Sequence, residues 1–302
     1  MIDFAGIPFK NPVVAAAGTA GYGLESRFLA DPSRLGAVTL KALTLEPRPG
    51  NPMYRITETE AGLINSVGLQ NDGLAYFMER IAPELPRIGT RVIANLAGNQ
   101  IEDYVALVRA MNTVAAVDLI ELNVSCPNVH GGRVEFGSDP ALLEKLVQAC
   151  AAVATKPLMP KLSPNVTSIT DMAKACENGG ASAVSLVNTF LGMQINVASR
   201  RPSIARVTGG YSGPGIKPIA LRMVYQVCRA VKIPVLGLGG IRNTDDALEF
   251  LLAGATLVGI GAAGSFSPRV PVRVARGLEA WVRKQKIDWK GIPLLLREPE
   301  AP

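Results

Sequence analysis

The chain contains 302 residues, with 30 glycines, four cysteines and a single histidine, and carries a net charge of +6. Charged residues make up only 19% and hydrophobic residues 48%, which excludes a disordered chain. The four cysteines have neither a CxxC spacing nor any metal-binding spacing, so we expect no disulfide framework, no iron–sulfur cluster and no metal site.

The basic excess is spread along the chain and has no aromatic residues interleaved with it. This pattern favours a solvated surface that steers anionic small substrates over a nucleic-acid partner. No segment approaches ~18 unbroken apolar residues, and the first residues lack the basic and apolar regions of a signal peptide. We therefore expect a cytoplasmic protein with no membrane association.

Short apolar segments rich in β-branched residues alternate with segments of helical period. The predicted strands are Val13–Ala17, Ala37–Lys41, Arg91–Leu96, Asp118–Val124, Leu158–Leu162, Ala183–Val187, Val235–Leu238 and Thr256–Ile260. The predicted helices are Ile101–Thr113, Pro140–Ala154, Ser168–Asn178, Pro218–Val231, Thr244–Ala253 and Pro271–Lys286. Eight buried strands alternating with helices predict an α/β fold, a single (βα)8 TIM barrel that occupies residues 1–302 as one domain.

Two long insertions interrupt this alternation, at about Thr44–Asn71 after the second strand and about Asn188–Gly215 after the sixth. A glycine-bearing loop at about residues 126–138 follows the fourth strand, and we expect it to be a mobile lid. All three follow the carboxyl ends of strands, where barrel loops build active sites, so the function is expected there.

Polar residues cluster at those strand ends. Burying a lysine inside an apolar strand is expensive without a partner, and two lysines accompany several amides here. The combination predicts a ligand that is polar, planar and partly anionic. The residues concerned are Lys41, Asn95, Asn123, Lys161, Asn188 and Thr189.

Glycines follow the last two strands, at Gly239-Gly240 and at Gly261-Ala262. Each pair exposes backbone amides and precedes a helix, an arrangement that suits a phosphate group. Barrel proteins often bind phosphate at these two loops.

Cys126 leaves the fourth strand at the predicted barrel mouth. A thiol has an ordinary pKa of ~8.5, so a modest shift lets it act as a base near neutral pH. His130, four residues later, is a weaker catalytic candidate. Cys150, Cys176 and Cys228 lie in helical segments among apolar neighbours and are predicted to be inert.

Four segments in order, KALT (41–44), NSVGLQN (65–71), NVSCPNVHGG (123–132) and GLGGI (237–241), resemble the class 1 dihydroorotate dehydrogenases. The resemblance extends from Asn11 to about Lys286, and NVHGG together with EPRPGNP (46–52) is most similar to the class 1B catalytic subunit. Class 2 enzymes carry a serine base where this chain has Cys126.

The resemblance implies FMN-dependent oxidation of dihydroorotate to orotate in de novo pyrimidine biosynthesis, with Cys126 taking the C5 proton and flavin N5 the C6 hydride. Ala17 departs from the serine usual in the family. The implied FMN-binding residues are Ala17, Lys41, Ala42, Asn95, Asn123, Lys161, Val187, Gly213, Gly239, Gly240, Gly261 and Ala262. The implied substrate-binding residues are Lys41, Asn65, Ser66, Val67, Gly68, Leu69, Asn123, Asn188 and Thr189.

The chain itself encodes no route for electrons beyond the flavin. A dinucleotide fingerprint that started at Gly237 would need a glycine where Arg242 stands. Resemblance to class 1B implies a homodimer joined by an electron-transfer subunit that carries FAD and a [2Fe-2S] cluster, forming a heterotetramer that reduces NAD+. A class 1A homodimer that uses fumarate is the alternative.

Other FMN barrels that act on pyrimidines remain open as alternatives. One is similar to the flavin domain of dihydropyrimidine dehydrogenase, which differs in the loop after its SCP motif. Another is similar to tRNA-dihydrouridine synthase, which needs a helical RNA-binding domain where only about 16 residues follow Lys286. A non-catalytic binding barrel would lack the yellow colour of a flavin.

Overall fold

The computed structural model describes residues 1–25, 29–125 and 136–297. Within these residues, eight parallel strands close into a barrel in which consecutive strands are neighbours and the last pairs with the first. The barrel strands are β1 (Val13–Ala15), β2 (Ala37–Thr39), β3 (Arg91–Leu96), β4 (Leu119–Asn123), β5 (Leu158–Lys161), β6 (Val184–Leu186), β7 (Val235–Leu238) and β8 (Leu257–Ile260). The predicted (βα)8 TIM barrel is confirmed.

Helices pack around the barrel, and three of them begin at a side chain that caps the first turn. The Asp139 carboxylate accepts hydrogen bonds from the amides of Ala141 and Leu142, and Asn243 Oδ1 accepts one from the amide of Asp246. The α-helices are α1 (Gly73–Tyr76), α2 (Ile101–Asn112), α3 (Pro140–Ala151), α4 (Ile169–Asn178), α5 (Lys217–Ala230), α6 (Thr244–Leu252), α7 (Ala262–Phe266) and α8 (Arg269–Gln285).

The second strand is followed by a helical segment that the periodicity did not predict. There α1 continues into a π-helical turn at Phe77–Ile81 and a 3-10 helix at Ala82–Ile88, whose prolines cannot sustain α-helical hydrogen bonds. Further 3-10 turns lie at Pro32–Arg34, Pro214–Ile216, Trp289–Gly291 and Pro293–Leu295. Among the described helices, none combines the length and apolar character needed to cross a membrane.

A hairpin closes the amino-terminal end of the barrel. Strands Ile2–Phe4 and Ile7–Phe9 pair antiparallel, and Phe4 and Phe9 are fully buried with their rings edge to face. They pack on residues near the beginnings of the barrel strands, among them Ala37, Leu119 and Leu257. The opposite end of the barrel is thereby left as the place for a ligand.

The two predicted insertions meet in one four-stranded antiparallel sheet, called here the insertion sheet. Its strands, in spatial order, are Phe190–Gly192, Gly209–Ser212, Gly62–Asn65 and Ile56–Thr59. The second insertion also contains a two-stranded ladder of Ile195–Asn196 with Arg201–Pro202. The sequence predicted both insertions and their position after strand ends but not their pairing.

Candidate active site

The predicted polar residues converge at the carboxyl ends of neighbouring barrel strands. Asn123 and Lys161 are the last residues of β4 and β5 and are partners in register, and Asn95 is next to last in β3. Lys41 lies two residues after β2, and Asn188 lies two residues after β6. Five consecutive strands therefore present polar side chains at one mouth.

A buried carboxylate that the sequence analysis missed lies at the centre of this group. Glu121 of β4 is 2% exposed, and its Oε1 accepts a hydrogen bond from Asn95 Nδ2 at 2.5 Å. Its Oε2 accepts one from Ser185 Oγ of β6 at 2.9 Å, and Lys161 Nζ lies 4.0 Å from Oε1. Glu121 is thus the partner that the buried Lys161 requires. The cost of burying a charge in an apolar strand, which singled out Lys161, applies equally to Glu121.

Two amide side chains also meet at this mouth. Asn188 Nδ2 donates to Asn123 Oδ1 over 3.2 Å, and Asn188 Oδ1 accepts the amide hydrogen of Thr189. Asn165, which the sequence analysis also missed, donates to the Thr189 carbonyl at 3.0 Å and accepts from the Leu191 amide. The beginning of the second insertion is therefore fixed against the barrel mouth.

Lys41 presents a charge that has no partner among the described residues. Its backbone amide donates to the carbonyl of Gly21, and the residue is half-buried. No hydrogen bond or ion pair joins its ammonium group to any residue in the three described ranges. A half-buried free cation at a barrel mouth suits an anionic ligand group.

The loop at residues 65–69 is held in place by amide side chains. Asn51 Nδ2 donates to the hydroxyl and carbonyl oxygens of Ser66, and Asn65 Nδ2 donates to the Gly210 carbonyl across the insertion sheet. Gly68 has a φ of 78°, and a Cβ there would lie 2.6 Å from the backbone nitrogen of Asn51, so only glycine fits. The predicted substrate loop is preformed.

The glycines after β7 and β8 differ in the space that a side chain would find there. At Gly240 φ is +79°, and a Cβ would lie 2.8 Å from Lys217 Cβ and 2.9 Å from the Gly213 carbonyl oxygen. A Cβ on Gly261 would meet nothing closer than Ala16 Cβ at 3.9 Å. Gly240 is therefore required by packing and backbone conformation, whereas the space beside Gly261 is free for a ligand.

An ion cluster supports the loop after β7. Lys217 Nζ donates to Asp246 Oδ1 and Glu249 Oε1, each at 2.7 Å, and Asp246 Oδ2 accepts the Arg242 amide hydrogen at 2.9 Å. Burial alone would raise the pKa of Asp246, but the hydrogen bonds from Lys217 and Arg242 outweigh it and lower the pKa. Burial alone would lower the pKa of Lys217, but its two carboxylate partners raise it.

This cluster predicts an acid-dependent stability. Because the folded-state pKa of Asp246 is lowered, its contribution is present above pH ~4 and lost as the pH falls through the lowered value. Asp246→Asn should reduce the free energy of unfolding at pH 7 by about 1.5–3 kcal/mol. Urea titrations of both proteins should show this difference shrinking from pH 5 toward pH 3. The exposed neighbour Asp245→Asn is the control, and a difference that stays constant with pH would contradict the assignment.

The remaining predicted residues line the same mouth or fall outside the described ranges. Val187 is buried and donates from its amide to Leu238, while Ala17, Ala42 and Ala262 are half-buried near the strand ends. Cys126, His130 and most of the predicted lid lie outside the described residues. Burial raises the pKa of the Cys150 and Cys228 thiols to about 12, which accords with their predicted inertness.

The fold and this mouth define an α/β-barrel enzyme whose site offers cations and amides to a polar, anionic ligand. The sequence profile of the family described as dihydroorotate dehydrogenase matches residues 1–282. The chain is 49% identical over 287 residues to the dihydroorotate dehydrogenase B (NAD(+)), catalytic subunit, of Lachnoclostridium phytofermentans, an alignment that covers 95% of each chain. Proteins of the same name from Alkaliphilus metalliredigens and Pelobacter propionicus are 48% and 46% identical over 286 residues, with 95% of this chain and 94% of theirs covered.

This chain belongs to the dihydroorotate dehydrogenase family. The resemblance found in the four sequence segments is thereby confirmed. The similarity to the B-type catalytic subunits agrees with the class 1B sequence features after Cys126.

Proposed function

We propose that this protein oxidises dihydroorotate to orotate in pyrimidine biosynthesis, as the FMN-binding catalytic subunit of an NAD+-linked dihydroorotate dehydrogenase. The observation that carries the proposal is the constellation of Lys41, Asn95, Asn123, Lys161 and Asn188 at the carboxyl ends of consecutive strands. Alignment with the B-type catalytic subunits over 95% of the chain supports it.

The described residues fit a flavin. Asn95 Oδ1 is buried and has no hydrogen-bond partner among the described residues, so it can accept a hydrogen bond from a ligand. Lys161 is buried beside it, where an ammonium group suits the negative charge of a reduced flavin's pyrimidine edge. The free space at Gly261 and the backbone beside Gly240 suit a phosphate.

Further contacts to the cofactor are assigned from the family resemblance. The same residues stand at the barrel mouth, on or next to strand ends, which agrees with this assignment. Ala17 cannot supply the hydrogen bond of the family's usual serine, a loss worth ~1 kcal/mol. The additional cofactor contacts are Ala17, Lys41, Ala42, Asn123, Val187, Gly213, Gly239 and Ala262.

Alanine substitutions at two neighbouring glycines test the proposed phosphate site. The methyl group of Gly261→Ala would meet only Ala16, at 3.9 Å, and it should weaken FMN binding at least tenfold by filling the phosphate space. Gly264→Ala in α7 is the matched control, since its methyl group would also meet nothing closer than 3.7 Å. Equal FMN affinity of both variants, measured by quenching of flavin fluorescence, would remove Gly261 from the phosphate site.

The substrate has groups that these side chains recognise. Lys41 would neutralise the carboxylate of dihydroorotate, and the amides of Asn65, Asn123 and Asn188 would read the alternating donors and acceptors of the pyrimidine ring. The preformed loop that includes Ser66, Val67, Gly68 and Leu69 would enclose the ring, and Thr189 would complete the contacts.

Oxidation of dihydroorotate removes a proton from C5 and a hydride from C6. Bound FMN supplies the hydride acceptor at its N5 atom. Cys126, three residues after the end of β4 in the sequence, is the base that would take the C5 proton. Lys161 would stabilise the negative charge that accumulates near it, and closing the mouth would exclude water.

The insertions also offer a surface for assembly. Eight large hydrophobic side chains in them are at least 47% exposed, an extent that suits an interface better than a solvated surface. This supports a homodimer, which binds an electron-transfer subunit with FAD and a [2Fe-2S] cluster in a heterotetramer. The eight are Met53, Tyr54, Ile56, Leu191, Met193, Ile195, Val197 and Val207.

One series of assays tests the function. The purified protein should be yellow, release FMN on denaturation, and lose its colour when dihydroorotate is added without oxygen. Turnover with NAD+ should require the electron-transfer subunit, while turnover with fumarate in its absence would identify a class 1A enzyme instead. A colourless protein that takes up no FMN would contradict the proposal. The cytoplasmic location stays a prediction.

A further inference from the structure

Glu121 has no assigned part in the reaction, yet it contacts residues of three other barrel strands. Its two carboxylate oxygens hold Asn95 of β3 and Ser185 of β6, and Lys161 of β5 lies 4.0 Å from one of them. Its side chain is 3% exposed. A carboxylate this deeply buried and this fully engaged restrains the side chains around it.

The carboxylate decides which end of the Asn95 amide faces the mouth. An ionised carboxylate only accepts hydrogen bonds, so the 2.5 Å contact requires the Asn95 nitrogen on the Glu121 side. The Asn95 oxygen must then point away from Glu121, and this oxygen is the buried atom without a partner among the described residues. The site therefore offers an acceptor, and it selects a ligand that has an N–H at that place.

The same carboxylate sets the charge of the site. Glu121 and Lys161 have side chains 3% and 7% exposed, so their charges act on each other and on a ligand with little screening by water. A ligand that gains negative charge is attracted by Lys161 and repelled by Glu121. Removing the Glu121 charge should therefore favour the reduced, anionic ligand over the oxidised, neutral one.

We propose that Glu121 is a positioning residue of the cofactor site. It fixes Asn95 Oδ1 as an acceptor for the N3–H group of the flavin ring, and it limits how strongly Lys161 stabilises the reduced flavin. This inference rests on the proposed function, because it takes the ligand to be a flavin. Oxidised flavin carries its one ring N–H at N3, beside the atoms that become negative on reduction.

The test compares Glu121→Gln with the unmodified protein, both as full chains reconstituted with FMN. Glutamine keeps the shape and can still accept from Asn95, so affinity for oxidised FMN should change less than threefold. Reduced FMN should bind about tenfold more tightly relative to oxidised FMN, which for a two-electron couple is a shift of the midpoint potential by about 30 mV to more positive values. The exposed Glu102→Gln of α2 removes the same charge at a distance and should leave the potential unchanged.

A second measurement needs no variant and serves if Glu121→Gln does not fold. N3-methylated FMN lacks the donor and should bind the unmodified apoprotein at least a hundredfold more weakly than FMN. An unchanged potential in Glu121→Gln, or equal affinity for FMN and its N3-methyl derivative, would overturn the role of Glu121. Those results leave the proposed function standing as long as dihydroorotate still reduces the flavin. An unmodified protein that binds no FMN would overturn both.

Discussion

Replacing Cys126 by alanine should lower the rate at which dihydroorotate reduces the bound flavin by about 10²–10⁴-fold, because the C5 proton loses its base. FMN should remain bound, since the family resemblance assigns Cys126 to the reaction of the substrate and not to the binding of the cofactor. Stopped-flow absorbance under anaerobic conditions measures the rate, and the flavin spectrum reports binding. Reduction at an unchanged rate would remove Cys126 as the base.

Cys228→Ala provides the matched control for this experiment. Cys228 lies in α5 outside the barrel, and burial raises the pKa of its thiol to about 12, so it cannot serve as a base near neutral pH. Its replacement removes the same atoms and should leave the reduction rate unchanged. The contrast between the two variants assigns the effect to the position of the thiol.

Replacing Lys161 by methionine should reduce the free energy of unfolding of the flavin-free protein by about 3–5 kcal/mol, because it leaves Glu121 buried without its cation. This is a large fraction of the ~5–15 kcal/mol that holds a typical domain folded. Urea denaturation measures it, and FMN must be absent because a bound ligand adds stability of its own.

A double variant tests the cause of this loss. Lys161→Met combined with Glu121→Gln removes both charges, and we expect it to recover most of the lost stability because no buried charge remains uncompensated. If the double variant is more stable than Lys161→Met alone, the loss in the single variant comes from the unpaired Glu121 charge. Equal urea midpoints for the unmodified, single and double proteins would show that Glu121 and Lys161 do not interact.

The barrel could be predicted because its strands are buried on both faces and therefore appear as continuous apolar segments. All eight predicted strands are present, although β1 and β2 end at Ala15 and Thr39, two residues earlier than expected. The insertion sheet could not be predicted, because a strand such as Gly209–Ser212 has no apolar pattern. This strand forms by pairing with Phe190–Gly192 on one side and, on the other, with Gly62–Asn65, nearly 150 residues away in the sequence.

Some residues of the candidate site could be predicted from the sequence and others could not. The position of Lys41, Asn123 and Lys161 at the mouth could be predicted, because a polar residue at the end of an apolar strand is recognisable from the local sequence alone. Asn165 could not, because its part depends on contacts with Thr189 and Leu191 that exist only in the folded chain. The roles assigned to the cofactor and substrate residues stay predictions until a ligand is bound.

A single-turnover experiment tests the central claim most directly. The protein reconstituted with FMN is mixed with excess dihydroorotate in the absence of oxygen. The amounts of orotate formed and of flavin reduced are then measured in the same sample. We predict one orotate formed for each flavin reduced, with no other acceptor present. A flavin that keeps its colour while no orotate appears would contradict the assignment of this barrel as a dihydroorotate-oxidising enzyme.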